Sequence, residues 1–594
     1  MPFDGLTVSK LIRELNDDLI GARIDKIYQP ERDDLLLVIR RKKGASRLII
    51  SANPGWARMH LTETRQDNPQ RPSALCMLLR KHLEGGKIIG FEQPGAERVV
   101  HLRIEALNDL LEWREKLLIC EFTGKNANIM LVDPETGTIL DGIRRYGSDV
   151  SSHREVLPGA PYVAPPPQHK LDPSNAAFEA FCDRFWQAPA EKGTANALFY
   201  AFEGFSPPTC RELCHLCGLN PELPAGECGE YELSRLFEIC RQIQQDPDLD
   251  QPTVLIGTRG PVDVFPFHPV NSPGFGFKTF ATVNDSLDAF FGARLNTIRL
   301  DSQKSNLLRN LKSKLEKTYR KRFNQEGDLA QANQNNVLRS WGELLTAYAH
   351  EVPRGAESVR LPNFDGDGDT VIELSPRLTA VENAQVYFKR YARSRRTREH
   401  MKRLLEETQQ EADYLESVVT ALDNAESLDV VEEIIDELEE QRLIAAHSKR
   451  GKTKQQRSEP RVYSSSDGFT IWVGRNNMQN DRLTLRQANK TALWLHSQGY
   501  PGAHVILDLP PRIRSIDQVP DASLEEAAIL AAHFSKGSEA EKIPVDYTFR
   551  SNVKKPKGAR PGMVVYDPYW TVYVNPHDPR LETLLASQPS GESI

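Results

Sequence analysis

The chain has 594 residues, of which 39% are hydrophobic and 26% are charged, with a formal net charge of −7. A chain of this length predicts several domains, here a multidomain α+β protein. It contains no run of the ~20 apolar residues that a membrane span needs and no signal segment at its start, so we expect a cytoplasmic location. Eight thinly spread cysteines fit a reducing compartment, and the acidic net charge argues against a uniformly basic nucleic-acid-binding protein.

Residues 1–168 have the pattern of an α+β domain with mostly antiparallel strands. Apolar runs of strand length, separated by turns, lie at residues 35–39, 47–50 and 117–120. Residues 7–15 and 73–83 have the apolar spacing of helices. A proline-rich run closes the domain as a stiff linker. Residues 252–282 return to short strands, and we expect them to pack back on this domain.

Residues 169–251 predict a second domain, made of helices. Its most informative segment is the turn at residues 204–209, in which Ser206 is placed to cap the following helix. The turn resembles a helix-hairpin-helix element, whose backbone N–H groups can bind phosphate, although this segment alone favours an ordinary helical bundle. Cys210, Cys214 and Cys217 invite a zinc-site interpretation, but their spacing on one helical face favours buried thiols.

Residues 283–446 predict a long antiparallel coiled-coil hairpin with a small domain at its tip, at about residues 350–380. A turn at residues 365–369 has part of a calcium-loop pattern but lacks its glycine and glutamate positions. The polar residues 447–460 predict a flexible linker. Apolar residues at heptad-like spacing are expected to line the two helices, namely Leu308, Leu311, Leu315 and Phe323 on the first and Leu405, Leu415, Val418, Leu422 and Ile434 on the second.

Charge is segregated along this hairpin. Residues 304–322 and residues 389–403 each contain eight Lys or Arg and one acidic residue, whereas residues 404–440 contain fourteen acidic residues and no Lys or Arg. Basic residues near Arg320 and Arg395 are expected to meet when the helices run antiparallel, which would create a positive band. Such blocks are often solvated helix faces, but segregation of this size favours RNA as a partner, with an acidic protein as the second choice.

Residues 461–580 predict a C-terminal α/β domain, with a capping box formed by Ser523 and Glu526 before a helix at residues 527–534. Trp494 and His496 lie on an apolar strand, where they can either stack on bases or belong to the core. Further candidates for RNA contacts in this domain are polar residues before a short amphipathic helix and a basic, glycine-containing loop, namely Arg475, Asn477, Asp481, His504, Lys554, Lys555, Lys557 and Arg560.

These segments together resemble the NFACT family of ribosome-associated quality-control factors, which includes RqcH- and NEMF-type proteins. The block at residues 471–508 is similar to the NFACT-R domain, and the start of the chain is similar to the NFACT-N domain. The resemblance covers nearly the whole chain, because the similar segments follow the family order. The other segments are residues 3–5, 21–29, 121–129, 157–162, 382–388, 545–548 and 553–562.

The resemblance implies roles for particular residues. Glu97-Arg98 occupies the position of the family's Asp-Arg pair, which the relatives need for tRNA use; the longer Glu side chain alters the reach of the carboxylate. Without the resemblance, a surface ion pair of little weight would be expected here. We expect tRNA contacts from Glu97, Arg98, Glu121, Lys125 and Asn128. Ribosome contacts are expected from the candidates of the last domain and from Arg320, Arg395, Arg396 and Arg398.

The function that the resemblance implies is that of a non-enzymatic translation factor. It would bind stalled large ribosomal subunits with peptidyl-tRNA and recruit alanyl-tRNA, so that untemplated C-terminal alanine tails mark nascent chains for degradation. The chain has no P-loop, nucleophile-elbow or HExxH motif. We therefore expect no catalytic residues, no cofactor and no metal, and a monomer without membrane contact.

Two alternative functions remain open at this point. One is a DNA glycosylase or lyase that uses Pro2 as its reactive amine, although Phe3 stands where those enzymes have glutamate and their zinc finger is missing. The other is a fibronectin-binding adhesin, a name formerly given to bacterial members of the family. The absence of a signal or anchor segment argues against this second alternative.

Overall fold

The computed structural model describes residues 3–41, 44–64, 68–69, 71–108, 110–147, 154–258, 260–334, 336–364, 366, 368–445 and 458–588. Pro2, two aspartates of the predicted tip turn and most of the predicted linker lie outside these residues. The chain is a multidomain α+β protein that forms two compact units, Met1–Asn296 and Thr297–Ser593. Within the described ranges, no helix has the length and apolar character to cross a membrane.

The first unit is built on a nine-stranded sheet in which every neighbouring pair is antiparallel. Alternate residues of the strands, such as Leu35, Leu37 and Ile39, face a shared core. In sheet order the strands are β4 (Arg58–Leu61), β3 (Gly44–Ser51), β2 (Asp34–Arg41), β1 (Arg23–Tyr28), β5 (Lys87–Glu92), β6 (Val99–Leu107), β7 (Trp113–Glu121), β8 (Asn128–Asp133) and β9 (Thr138–Gly142).

Among the described residues, this core also contains side chains of two complete helices and of the first turns of the helix that begins at Val283. Helix α1 (Gly5–Leu19) begins at the N-cap residue Asp4, whose carboxylate accepts the Thr7 amide at 3.0 Å. Helix α2 (Ala74–Leu83) begins after Ser73, which caps it in the same way. The helices predicted at residues 7–15 and 73–83 are therefore confirmed, and the first is longer than predicted.

The rest of the first unit holds four helices and a small sheet. The helices are α3 (Phe178–Trp186), α4 (Thr194–Ala201), α5 (Pro207–Leu216) and α6 (Glu230–Gln245). The sheet has the order β11 (Gly260–Phe265), β10 (Thr253–Gly257), β12 (Gly276–Thr279). It contributes Val254 and Val264 to the core of the large sheet, and Leu255 and Phe265 to the core of the helices. Strands after residue 252 thus pack on the first domain, as expected, and also on the second.

The second unit begins within α7 (Val283–Gln334), which crosses the boundary between the units. It continues with α8 (Val337–Ala347), the hairpin of β13 (Ser358–Pro362) and β14 (Asp369–Glu373), α9 (Ala380–Asp423) and α10 (Leu428–Glu440). Leu311, Leu415, Val418, Leu422 and Ile434 share one buried cluster. The prediction that Phe323 lines the contact between the two helices was wrong, because its side chain is 75% exposed.

Helices α7 and α9 run antiparallel. Arg322 donates to the Gln409 side chain at 2.8 Å, and Ser394 donates to the Ala332 carbonyl at 3.1 Å. Residue numbers rise along one helix as they fall along the other. Thr379 and Glu382 form a capping box at the start of α9, next to the segment at residues 382–388 that resembles the family.

The C-terminal domain contains a six-stranded antiparallel sheet that packs on α12 (Asp521–His533). The predicted capping box is wrong, because α12 begins at Asp521 and Ser523 is buried inside it, donating to Asp467 at 2.6 Å. In sheet order the strands are β15 (Arg461–Ser464), β16 (Thr470–Val473), β18 (Val505–Leu507), β17 (Leu493–Ser497), β19 (Ile543–Phe549) and β22 (Trp570–Val574); the other elements are α11 (Asn477–Arg482), β20 (Val553–Lys554), β21 (Val565–Tyr566) and α13 (Arg580–Ala586).

Candidate nucleic-acid interface

The Glu97-Arg98 turn lies at one end of the nine-stranded sheet. It immediately precedes β6, and the register pairs Val99 with Glu121 at the end of β7. The Phe122 amide donates to the Arg98 carbonyl at 2.8 Å, so the backbone of the turn is tied to the neighbouring strand. The side chains of Glu97 and Arg98 are both half-buried. The turn therefore combines a fixed backbone with partly accessible side chains.

Two glycines allow the helical domain to press against this turn. A Cβ atom on Gly5 would lie 1.9 Å from the Ala96 carbonyl oxygen, and one on Gly204 would lie 2.8 Å from the same atom. Gly204 also has a φ of +84°, which glycine tolerates best. The Ala96 amide donates to the Glu203 carboxylate at 2.8 Å. Close packing of three chain segments thus fixes the position of the turn.

Asp4 connects the start of α1 to the predicted helix-hairpin-helix turn. Its carboxylate accepts the Ser206 amide at 3.0 Å and the Thr209 hydroxyl at 2.6 Å. Ser206 caps α5, as predicted. Because the Ser206 amide already has this internal partner, it is not available to a phosphate in this structure.

Arg98 lies between two carboxylates that act on its charge. Burial lowers the pKa of the Arg98 guanidinium, whereas the nearby Asp4 and Glu97 carboxylates raise it. A guanidinium stays protonated across the physiological range, so the turn presents a partly buried positive charge. Glu97 is itself positioned by Gln168, which donates to its carboxylate at 3.3 Å.

The other three predicted tRNA contacts differ in exposure. Lys125 is exposed on a short 3-10 turn between β7 and β8. Glu121 is fully buried and forms an ion pair with Arg154, with one N–O distance of 2.6 Å. Asn128 is also fully buried and donates to the Arg144 carbonyl at 2.9 Å. In this conformation Glu121 and Asn128 support the sheet end, and only Lys125 offers accessible surface.

The two basic blocks of the hairpin do not meet, which corrects the prediction of one positive band. Ser394 contacts Ala332, whereas Tyr319 donates to Glu416 on the acidic part of α9. Arg320 and Arg395 are therefore separated by roughly 30 Å along the hairpin at ~1.5 Å per residue. The first block lies beside acidic residues, and Lys304 donates to the carbonyl oxygen of Asp423 at 3.1 Å.

The block on α9 is the more accessible of the two. Arg395 and Arg396 are exposed, and Arg398 is half-buried with a contact to the Asn336 side chain at 3.4 Å. Arg395 forms an ion pair with Glu399 one helical turn away, at 3.3 Å. An exposed pair of this kind contributes little to stability. The segment at residues 389–403 therefore offers positive charge to a partner.

Trp494 and its neighbours form part of the core of the C-terminal domain. The Trp494 ring is fully buried, lies nearly parallel to His496 and packs edge-on against His504. Burial lowers the pKa of His496 to about 4 and that of His504 to about 3. The imidazoles are therefore neutral near pH 7. Of the two interpretations of Trp494, the core position is the one observed in this conformation.

The basic loop is partly held by internal contacts. Lys555 forms an ion pair with Asp481, and the Arg560 guanidinium lies 4.8 Å from the ring centroid of Tyr414 on α9. Lys554 and Lys557 are exposed. The ammonium groups of these two lysines are thus accessible to RNA phosphates, whereas Lys555 and Arg560 hold the loop in place through internal contacts.

A buried polar cluster joins α9, α10 and α11. Asn477 donates to the Ser417 hydroxyl at 2.9 Å and to Glu437 at 3.2 Å, and Tyr414 donates to Glu437 at 2.7 Å. Burial raises the pKa of Glu437 to about 7. Asn477 is thus a structural contact in this conformation, and half-buried Arg475 lines a narrow polar pocket next to it.

Sequence reasoning missed the partners of these residues. Arg154 pairs with Glu121 across 33 positions of the chain, and Glu437 is 40 positions from Asn477. No local pattern marks either pair. All eight cysteines are buried thiols. Among the described residues, no group of three or more His, Cys, Asp or Glu side chains is placed to hold a metal ion.

Comparison with known proteins gives matches along almost the whole chain. The family description "NFACT N-terminal and middle domains" matches residues 4–457, and "NFACT protein RNA binding domain" matches residues 460–566. The chain is 32% identical to the Rqc2 homolog RqcH of Bacillus subtilis, covering 97% of this chain and 98% of that protein. It is 33% identical to the Rqc2 homolog RqcH of Streptococcus pneumoniae serotype 2, covering 99% and 100%.

Solved structures also match parts of the chain. One is the N-terminal part of the fibronectin/fibrinogen-binding protein from Streptococcus suis, which is 26% identical. The match covers 49% of this chain and 99% of that one, with a TM-score of 0.40.

Proposed function

The chain belongs to the NFACT family, and from this premise we propose that it acts in ribosome-associated quality control. The observation that carries the proposal is the match at 32–33% identity to Rqc2 homologues over nearly the full length of both partners. We infer that it binds obstructed large ribosomal subunits with peptidyl-tRNA. There it recruits alanyl-tRNA, so that untemplated alanine residues extend the nascent chain and mark it for degradation.

The tRNA site of this proposal is the end of the nine-stranded sheet. Arg98 supplies a partly buried guanidinium, Glu97 lies beside it as a hydrogen-bond acceptor, and Lys125 supplies an exposed ammonium. An arginine next to a carboxylate can contact phosphate and base edges at the same time. Close packing around Gly5 and Gly204 favours this role, because a rigid backbone lowers the entropic cost of binding.

Ribosome contacts are assigned to exposed cations of the second unit. The α9 segment at residues 389–403 is rich in arginine and faces solvent, and Lys554 and Lys557 project from the basic loop. Such contacts release counterions from RNA, which makes the free energy of binding more favourable for any RNA sequence. The match to an RNA-binding family description at residues 460–566 supports RNA as the partner of the last domain.

In this proposal the protein makes no bond itself. The peptidyl-transferase centre of the ribosome forms each peptide bond, and the protein holds tRNA and subunit in productive positions, which can supply much of a rate. Neither alternative function is favoured. The two relatives compared above over nearly their full length are Rqc2 homologues, and Phe3 stands where the DNA lyases of the alternative have glutamate.

The test is purification of tagged wild-type protein and of the Glu97→Ala/Arg98→Ala double variant, followed by sequencing of the bound RNA. We expect tRNA with the wild-type protein and at least a tenfold loss with the variant, while both recover the large subunit equally. A reconstituted reaction with obstructed subunits and alanyl-tRNA then measures tailing, which a peptidyl-transferase inhibitor should stop. Tailing that continues under the inhibitor would contradict the positional role.

A further inference from the structure

Two aromatic side chains on α4 remain partly exposed, and each has one cation near its ring. Phe199 is 36% exposed and Tyr200 is 47% exposed. The Lys170 ammonium lies 3.7 Å from the Phe199 ring centroid, and the Arg184 guanidinium lies 5.3 Å from that of Tyr200. Both distances are within the range of a cation–π interaction. We call these four residues the cation–aromatic surface.

This surface adjoins the Glu97-Arg98 turn through two chain segments. Gln168, which donates to Glu97, precedes Lys170 by two residues, a span of at most about 7 Å. Glu203, which accepts the Ala96 amide, follows Tyr200 by three residues. Lys170 is also close enough to Glu97 for their charges to interact. The turn and the surface therefore lie side by side within the first unit.

Single exposed apolar residues are common on protein surfaces and need no explanation. This surface differs because two adjacent rings are combined with two cations beside a candidate tRNA site. Lys170 is half-buried, and burial lowers the pKa of its ammonium; the nearby Glu97 and Glu203 carboxylates raise this pKa, and the Arg184 charge lowers it. A ligand with negative charge and a flat apolar face would pair with these cations and cover the exposed parts of the rings.

Unpaired RNA has this combination of groups. Its phosphates can pair with Lys170 and Arg184, and its bases can stack on Phe199 and Tyr200. A duplex hides the faces of its bases inside the helix, so it can use only the cations. The chemistry of the surface thus favours unpaired nucleotides over paired ones.

We propose that the cation–aromatic surface binds unpaired nucleotides by stacking, next to the nucleotides held at Glu97-Arg98. This inference rests on the proposed function, because it identifies the part of the tRNA that the same site takes. Stacking does not depend on base identity, so the surface contributes affinity with little sequence preference. Choice between tRNA species is then left to the Glu97-Arg98 turn.

The experiment uses the full-length protein and two RNA probes. One is a stem–loop with 2-aminopurine in its unpaired loop, and the other is a fully paired duplex of the same stem. The test variant is Phe199→Ala/Tyr200→Ala, and the matched control is Tyr231→Ala, a 71% exposed tyrosine on α6. Because alanine favours helices and the two rings are exposed, α4 should stay folded, which circular dichroism checks. Phe199→Tyr/Tyr200→Phe keeps both rings and should bind like the wild type.

We expect the test variant to lose about 5- to 30-fold in affinity for the stem–loop, with loss of 2-aminopurine quenching, and to bind the duplex unchanged. Unchanged stem–loop affinity, or an equal loss on both probes, would overturn the inference. So would weaker binding to the large subunit with intact RNA affinity, since the surface would then bind protein. Glu97→Ala/Arg98→Ala in the same assay separates the two proposals. If the stem–loop affinity falls in this variant but not in Phe199→Ala/Tyr200→Ala, the stacking surface is wrong and the turn assignment stands. If it falls in the aromatic variant alone, the turn assignment is wrong and the stacking surface stands.

Discussion

Substitution of Glu121 distinguishes a structural role from an RNA-binding role. Glu121 and Arg154 are both buried, and their side chains form two N–O contacts, one of them at 2.6 Å. Tyr162 adds a hydrogen bond to the same carboxylate at 3.1 Å. In Glu121→Gln the shape is kept and the negative charge is removed, so the buried Arg154 guanidinium loses its ion pair with this carboxylate.

The expected cost follows from the burial of this pair. Removing one partner of a buried ion pair costs ~3–5 kcal/mol, because the remaining charge is not compensated. Glutamine retains a hydrogen-bonding oxygen, so we expect the lower end, about 3 kcal/mol. That is a large part of the ~5–15 kcal/mol that stabilises a folded domain, and it should be concentrated in β6, β7 and β8, around the pair.

Hydrogen–deuterium exchange of peptides from β6 to β8 measures this local cost. A loss of about 3 kcal/mol speeds exchange by roughly 100-fold where amides exchange through local opening. The matched control is Glu115→Gln on the same strand, whose carboxylate pairs with Arg103 and is only half-buried. It should change stability by less than about 1 kcal/mol. Unchanged exchange in Glu121→Gln together with a loss of tRNA binding would refute the structural role and make Glu121 a direct RNA contact.

Three further predictions concern other parts of the molecule. Replacing Arg395, Arg396 and Arg398 with Gln should weaken association with the large subunit. The slope of the logarithm of the association constant against the logarithm of the salt concentration should become shallower by about 2, because each phosphate that is no longer neutralised removes ~0.7–0.9. Equal slopes for variant and wild type in a sedimentation series would show that this segment faces only solvent. Burial raises the pKa of Glu437 to about 7, above its ordinary value of about 4.5, so its contribution to stability is present below about pH 4.5 and is lost as the pH rises through 7. Glu437→Gln should therefore remove up to about 3 kcal/mol of pH dependence, and melting curves at pH 5 and pH 8 that shift as in the wild type would contradict this. Gly5→Ala should destabilise the first unit by ~1–3 kcal/mol through overcrowding against Ala96. The control is Gly292→Ala, at a helical glycine of the same unit with nothing within 4 Å of an added Cβ atom. Equal changes in thermal stability in the two variants would show that close packing at Gly5 is not the cause.

Local signals predicted local features well. Ser206 caps α5 as predicted, and helices occupy residues 7–15 and most of residues 73–83. Each of these features depends on residues within a few positions of one another. The capping box at Ser523 was wrong although its pattern is local, because α12 begins at Asp521 and Ser523, inside the helix, donates to Asp467 instead.

Contacts between residues far apart in the sequence account for the features that the sequence did not predict. The positive band was predicted from charge blocks, but the register between α7 and α9 depends on which apolar residues interlock, and the observed register places Tyr319 beside Glu416. The family resemblance assigns Glu121 to the tRNA contacts, and nothing local in the sequence indicates its buried ion pair with Arg154, 33 positions away. Trp494 fitted both a core position and a stacking position, and only the packing of His504 and Tyr566 around it distinguishes them.

The length of helix α9 separates the tip hairpin from the C-terminal domain by a distance that depends on its number of residues. Its 44 residues contain neither glycine nor proline and span about 66 Å at ~1.5 Å per residue. One end joins the small β13–β14 hairpin, and the other contacts the C-terminal domain. Because no glycine or proline interrupts it, the number of residues in α9 sets the distance between these two contacts. Removing seven residues from it, with seven from the facing part of α7, would bring the two ends about 10 Å closer without changing which faces interlock.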